Sequence, residues 1–314
     1  MKKFVLFLIF ALCCTLSAKE LKVLAIGNSF SASAVRTLPA LTASVPGCRL
    51  ILTGASIGGC SLERHWNEWC KAEKDPKHTP YGISFWDTAN LSGKTNRRGN
   101  INELIKNKNN KYDIITIQQN SSNSWKYSTY QPFAEKLIAV LKKYQPQAEI
   151  VIQQTWSYRS DSIRLRKWKI NNSFMYEQLA SAYAQLAKAN GFRVIPVGYA
   201  VQIFRTKTPV KFQVPDLKAL AALKNKEAHS FDGEVVGYCK WMRHRKTKNF
   251  YLACDTSHLN PHGEYMQSAV WFSILFGRPA TEIKYVLPGM KPEQAKFLLE
   301  CAKEAVATFK QPGK

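Results

Sequence analysis

Acidic residues are scarce in this chain, with 22 Asp and Glu against 45 Lys and Arg in 314 residues and a formal charge of +23. Such an excess draws polyanions by long-range attraction, or it is a solubility feature of a whole proteome; composition does not choose between the two. No RNA-binding signature, zinc finger or helix-turn-helix accompanies it, so nucleic acid is not expected as a partner. No cysteine pair has C-x-x-C spacing, and His65, His78, His229 and His244 share no ligand spacing. His262 follows His258 by four residues without a third ligand, so no metal site is expected. The spacing G-x-G-x-x-G is missing, which disfavours dinucleotide binding. No run approaches the roughly 20 apolar residues of a membrane-spanning helix, so no stable membrane insertion is expected. There is no internal repeat and no low-complexity linker.

What the chain does have begins with a secretory pattern. Lys2 and Lys3 precede an apolar run over residues 4–12, and Leu16-Ser17-Ala18 offers a small-residue cleavage site. Residues 1–18 therefore read as a signal peptide, and Leu12 and Cys13 are poor neighbours for a lipoprotein cysteine. The expected product is a soluble protein, secreted or periplasmic. Beyond that segment lie Cys48, Cys60, Cys70, Cys239, Cys254 and Cys301, an even set that permits disulfides in an exported chain. Cys239 and Cys254 flank a basic segment and could staple its base; buried free thiols are the equal alternative.

Short β-rich runs alternate with helical patterns. Strands are expected at residues 21–26, 49–53, 112–117, 149–153 and 193–197, and helices at 35–43, 61–71, 133–144, 174–190, 261–276 and 292–309. Pro39 interrupts the first helical pattern, and Gly191 supplies a left-handed cap to the fourth helix. This order implies an α/β fold: a three-layer α/β/α sandwich around a five-stranded parallel sheet. Residues 19–314 read as one domain. Residues 205–254 lack a clear strand–helix unit and read as an insertion or lid.

In such folds ligands bind outside the C-terminal ends of the strands. Ser29 in Gly27-Asn28-Ser29-Phe30, Gly59 in Ile57-Gly58-Gly59-Cys60, and Asn120 in Gln118-Gln119-Asn120-Ser121 each lie just after an expected strand. Far downstream, Asp255-Thr256-Ser257-His258 sets a carboxylate three residues before a histidine, so that it can orient the imidazole. A serine hydroxyl, a base of near-neutral pKa and amide donors for a developing oxyanion are the parts that acyl transfer from an ester needs. Each motif alone has a plainer reading: a capping Asp, a glycine turn, an Asx-turn at Asn120. Gly27-x-Ser29-x-Ser31 lacks the last glycine of the nucleophile elbow, which disfavours an α/β-hydrolase.

These blocks, in this order, resemble the SGNH hydrolases, the GDSL-type esterase and lipase superfamily, in an exported branch with Gly-Asn-Ser-Phe for Gly-Asp-Ser-Leu. The resemblance runs from about residue 21 to 277 and implies a flavodoxin-like fold. It implies Ser29 as nucleophile, His258 as general base and Asp255 as its orienter. The oxyanion donors it implies are the backbone N–H groups of Ser29 and Gly59 and the side-chain amide of Asn120. The third block departs from the usual Gly-x-Asn-Asp, since Gln118 stands where glycine is common; Gln119 is the fallback donor. No cofactor is implied.

The substrate expected is a small-molecule or polysaccharide ester, with carbohydrate O-acetyl groups foremost. Trp125, Tyr127 and Tyr130 follow Asn120 and could stack on sugar rings, or could equally be core. Two basic segments, 159–169 and 240–248, the latter with Arg243 and Arg245, could steer an acidic glycan toward Ser29, or could be solvated loops. A lipase or lysophospholipase, and a non-catalytic glycan-binding protein on the same fold, are the alternatives.

Overall fold

A computed structural model describes residues 19–222 and 232–313; the expected signal peptide and His229 lie outside the described residues. β1 (Lys19–Gly27) carries five consecutive buried residues, Val23, Leu24, Ala25, Ile26 and Gly27, as a strand covered on both faces requires. Asn28 stops it. Its side-chain oxygen accepts the Phe30 N–H at 2.9 Å and caps α1 (Ser29–Ala43), so Ser29 becomes the first helical residue. β2 (Cys48–Ser56) and α2 (Leu62–Lys74) follow, the helix capped by the Ser61 hydroxyl. Next come β3 (Tyr81–Asp87), β4 (Asn90–Gly99), α3 (Ile101–Lys106) and β5 (Ile114–Ile117). The alternation continues through α4 (Phe133–Tyr144), β6 (Glu149–Gln153), α5 (Ile163–Trp168), α6 (Asn172–Asn190) and β7 (Arg193–Ile195). Gly191, at φ 69°, closes α6. After α7 (Val197–Lys207) and α8 (Leu217–Ala222), β8 (Val236–Arg243) and β9 (Phe250–Leu259) form a hairpin, and α9 (Pro261–Phe276) and α10 (Pro292–Thr308) end the fold.

The strand order is β4-β3-β2-β1-β5-β6-β7. The five strands from β2 to β7 in that order are parallel, and they are the five read from the sequence. The expectation of a five-stranded parallel sheet is nonetheless corrected: the sheet has seven strands and is mixed, because β3 runs antiparallel to β2 and β4 to β3. β4, Asn-Leu-Ser-Gly-Lys-Thr-Asn-Arg-Arg-Gly, has no apolar alternation. As an edge strand it has one neighbour and needs none. Its turn is fixed by side chains: Asp87 accepts the Ala89 N–H, and the Thr88 hydroxyl accepts the Leu50 N–H, both at 2.9 Å.

β2 and β5 lie on opposite sides of β1, so right-handed crossovers put α1 on one face and α2 on the other. α1 packs on α9, α9 on α10 and α10 on α7, while α2 packs on α3 and α4. The reversal of direction falls at the end of β1, where Ser29 stands. β8 and β9 form a separate two-stranded sheet. Of residues 205–254, the described part holds the end of α7, α8 and most of this hairpin; 223–231 lie outside the described residues. Among the described residues no helix is long and apolar enough to cross a membrane.

Candidate active site

Three strand ends build one wall of the site. Asn28 is their junction: its oxygen accepts Phe30 N–H and the Gln118 side-chain amide (2.7 Å), and its nitrogen donates to the Cys60 carbonyl at 2.9 Å. The Ile57 N–H donates to the Gly27 carbonyl at 3.2 Å. The turns after β1, β2 and β5 are therefore tied into one unit, with Ser29 on its surface. Gln118, which replaces the expected glycine, is buried and supplies one of these ties.

The other wall is the end of β9. Asp255 pairs with Tyr238 and Leu259 with Val236, so three residues of β9 face one of β8, Gly237. The bulge turns Asp255 and His258 to the same side. Gly237 sits at φ 92°, and a Cβ there would come within 2.7 Å of the Asp255 carbonyl and 2.8 Å of the Arg159 guanidinium. Glycine is required twice over, by conformation and by space. Beneath the bulge the Arg159 N–H donates to the Thr256 carbonyl (3.0 Å) and the Trp156 indole to the Ser257 carbonyl (2.8 Å). Trp156 also stacks on Phe30 at 4.1 Å, and the Phe30 ring meets His258 edge-on at 5.1 Å, which joins the two walls.

Across the gap, His258 Nε2 lies 2.8 Å from Ser29 Oγ, and His258 Nδ1 lies 2.6 Å from Asp255 Oδ2. Asp255 Oδ1 also accepts the N–H groups of Ser257 and His258 at 2.7 and 2.9 Å. Burial by itself raises the Asp255 carboxyl, but the hydrogen bonds from the His258 ring and from these amides outweigh it and hold the group well below the usual carboxylate range. An ionised Asp255 makes Nδ1 the donor in neutral His258, which leaves Nε2 to accept the Ser29 hydroxyl proton. His258 is 37% exposed, so the pair faces solvent.

Gly59 is exposed at φ 64°, and its N–H has no acceptor among the described residues. The Asn120 amide nitrogen lies 3.1 Å from the Gly59 carbonyl, and its oxygen accepts the Asn123 N–H at 3.0 Å. The Asx-turn fixes the side chain, and its nitrogen donates one hydrogen to the Gly59 carbonyl and keeps a second. Gln119 is corrected. It is fully buried, its nitrogen donates to the Thr129 carbonyl at 3.0 Å, and its oxygen accepts from Leu62 and Asn120 N–H, so its amide is spent on the scaffold.

The expected substrate contacts fare differently. Tyr130 is core, its hydroxyl bonded to the Ser124 carbonyl at 2.8 Å. Trp125 packs on Trp168 and Phe174 with ring centroids at 5.5 and 6.5 Å, against the edge of the main core. Tyr127 packs on Tyr130. Arg159 is buried and paired with Asp161 at 2.7 Å, so it is a strut. Arg243 and Arg245 are exposed at the tip of the β8–β9 hairpin. Arg243 is five residues along β8 from Tyr238, the partner of Asp255, about 17 Å at the usual rise of a strand. The structure does not bring either arginine to Ser29. The sequence showed a basic segment but neither the hairpin that carries it nor its register.

Sequence reading missed Trp156, Gly237 and the pair Arg36–Glu264 (2.7 Å). Only Glu264, three residues after Pro261 at the start of α9, stood near a motif. Burial raises the Tyr238 hydroxyl, the charges of Asp255 and Glu264 add to that, and Arg36 opposes.

No curated protein matches this chain. Among solved structures, a DUF4886 family protein from Bacteroides uniformis is 26% identical, with 92% of this chain and 96% of that one covered at a TM-score of 0.71. More distant are a candidate SGNH hydrolase from Slackia heliotrinireducens (18% identity, 82% and 100% covered, TM-score 0.46) and an acetylxylan esterase from Geobacillus stearothermophilus (11%, 85% and 95%, 0.42). The family model for DUF4886, a domain of unknown function, matches residues 22–213, the part that holds Ser29, Gly59 and Asn120, and the chain belongs to that family.

Proposed function

We propose that the protein is an exported serine esterase that removes O-acyl groups, acetyl foremost, from carbohydrate. The observation that carries this reading is the continuous hydrogen-bond chain from Ser29 Oγ through the His258 ring to Asp255. Ser29 Oγ attacks the ester carbonyl carbon while its proton passes to His258 Nε2, and Asp255 holds the resulting imidazolium. The carbonyl oxygen takes up the negative charge against the N–H groups of Ser29 and Gly59 and the Asn120 amide. His258 then gives the proton to the departing sugar oxygen, leaving an acyl-Ser29 ester. Water repeats the sequence, its proton going to His258 and its oxygen to the acyl carbon, and the carboxylic acid leaves with Ser29 restored.

A short acyl group fits the surroundings of Ser29. An apolar cavity of about 430 Å³ lies between Phe204, Val210, Phe297 and Leu298, but none of Ser29, Asp255 and His258 lines it. Beside Ser29 and His258 the structure sets the exposed Gly59, the polar Asn120 and the edge of one ring, Phe30, which is little apolar cover for a long acyl chain. Residues 1–18 as a signal peptide account for the export. Hydrolysis of p-nitrophenyl acetate by wild type and its loss in Ser29→Ala test the reading; equal rates for the two overturn it, and p-nitrophenyl palmitate preferred over acetate overturns the acyl assignment.

A further inference from the structure

The β3–β4 hairpin carries the sheet past the cover of α1 and leaves a trough of about 220 Å³ along that helix. Its floor is a single cross-strand row. Ala25 pairs with Gly54, Gly54 with Ser84, and Ser84 with Asn96, so four strands present small or polar side chains in register. Successive residues of a strand point to opposite faces. Ser84, Trp86 and Asn96 therefore line this trough, while Ile83, Phe85, Thr95 and Arg97 line a hollow on the other face. Gly54 lets α1 come close to the sheet: a Cβ there would come within 2.7 Å of the Ser84 hydroxyl and 2.9 Å of Val35.

None of Ser29, Asp255 and His258 lines the trough, but it ends two residues of backbone from Ser29. Ser56 closes its upper end, pairing with Gly27 two residues before Ser29. On α1, Ser29, Ala32 and Arg36 share one face at spacings of three and four residues, with Arg36 two turns, about 10 Å, from Ser29. Arg36 is a wall of the trough and is paired with Glu264. Trp86, half-buried, closes the far end.

We infer that this trough is a sugar subsite, holding the glycosyl unit next to the one whose ester faces Ser29; the inference rests on the esterase reading for its orientation. The lining suits a neutral polyol. Ser56, Ser84 and Asn96 offer groups that both donate and accept, and an ion pair offers paired donors and acceptors to neighbouring hydroxyls. The Trp86 ring adds the apolar face that one side of a pyranose requires. A uronate gains little, since Glu264 already answers the charge of Arg36. An alkyl chain would strand the serine hydroxyls without water.

The test compares acetylated xylooligosaccharides with p-nitrophenyl acetate, which is too short to fill the trough, in Asn96→Trp and Arg36→Ala. Asn96 is exposed on an edge strand, so tryptophan fills the trough from its rim. In each variant kcat/KM on the sugar ester, divided by that on p-nitrophenyl acetate, falls about tenfold, chiefly through KM, as expected for a few lost hydrogen bonds. Ratios within twofold of wild type in both variants overturn the inference while leaving the esterase reading intact. If wild type does not hydrolyse p-nitrophenyl acetate, the esterase reading fails by itself. Calorimetric titration of xylotetraose then decides the trough: binding to wild type that weakens about tenfold in Asn96→Trp supports it, and equal or absent binding overturns it.

Discussion

Ser29 begins a helix whose preceding strand is buried in the middle of a seven-stranded sheet, whereas His258 stands near the end of a strand in a hairpin that has no place in that sheet. The first wall is held by backbone ladders on both sides of β1 and by the ties at Asn28. The second depends on a bulge, a glycine at φ 92°, and a bed of side chains and carbonyls from residues 156–159. Both deliver an atom to within 2.8 Å of its partner. A hydrogen-bonded serine–histidine pair can thus be assembled from one wall that is part of the global core and another that is a local device.

The largest expected effect would erase the contrast. Ser29→Ala and His258→Ala each lower kcat on p-nitrophenyl acetate by about 10⁴-fold or more, and the double variant is little worse than either, because the residues act as one unit. Additive losses in that cycle would mean that the two walls contribute separate functions. Asn120→Ala follows, with kcat down about 10²–10³-fold and KM nearly unchanged, because its donor acts on the transition state. Gln119→Ala should instead cost stability in a thermal melt, since its amide ties β5 to residue 129; a kcat loss without a melting shift would restore Gln119 as a donor.

How much of this was legible in the sequence divides along the same line. Ser29, Asp255, His258 and the five parallel strands announce themselves in contiguous sequence, through apolar runs that end in a turn and through a carboxylate three residues from a histidine. The hairpin of β3 and β4 did not, because an edge strand open to solvent needs no apolar alternation, and with it the trough beside α1 was invisible. Gln118 read as a departure because the sequence gives a residue type but not the Asn28 oxygen that it meets. Arg243 and Arg245 read as neighbours of His258 because they precede it closely in the chain; the register of a hairpin sends its tip away from its base.

Stability separates the walls next. Gln118→Leu leaves one tie to the buried Asn28 unmade and should cost about 1–3 kcal/mol of global stability in urea unfolding. Asp255→Asn carries a pH signature. The folded Asp255 carboxyl is depressed, so its stabilising contribution is fully present above its unfolded value of about 3.9 and is lost as pH falls through the lower folded value. The stability difference between wild type and Asp255→Asn should be constant above about pH 5 and shrink on further acidification. A difference that grows below pH 4 would contradict an ionised Asp255 held by the His258 and Ser257 amides.

The smallest effect isolates the hairpin. Cys239 and Cys254 are directly opposite on β8 and β9 and form a disulfide across 15 residues of sequence, next to Asp255. Closing a loop of that length contributes about 3 kcal/mol in the chain-entropy account. Here most of that acts on the hairpin, because β8 and β9 share no ladder with the main sheet. In Cys239→Ala/Cys254→Ala, amide exchange should accelerate across β8 and β9, while the amides of β1 and β5 keep their protection. Activity on p-nitrophenyl acetate should fall only a few-fold, since Trp156 and Arg159 still hold the bulge from below. Equal loss of protection in β1 would show that the hairpin unfolds only with the core, and the distinction between a global and a local wall would then have to be given up.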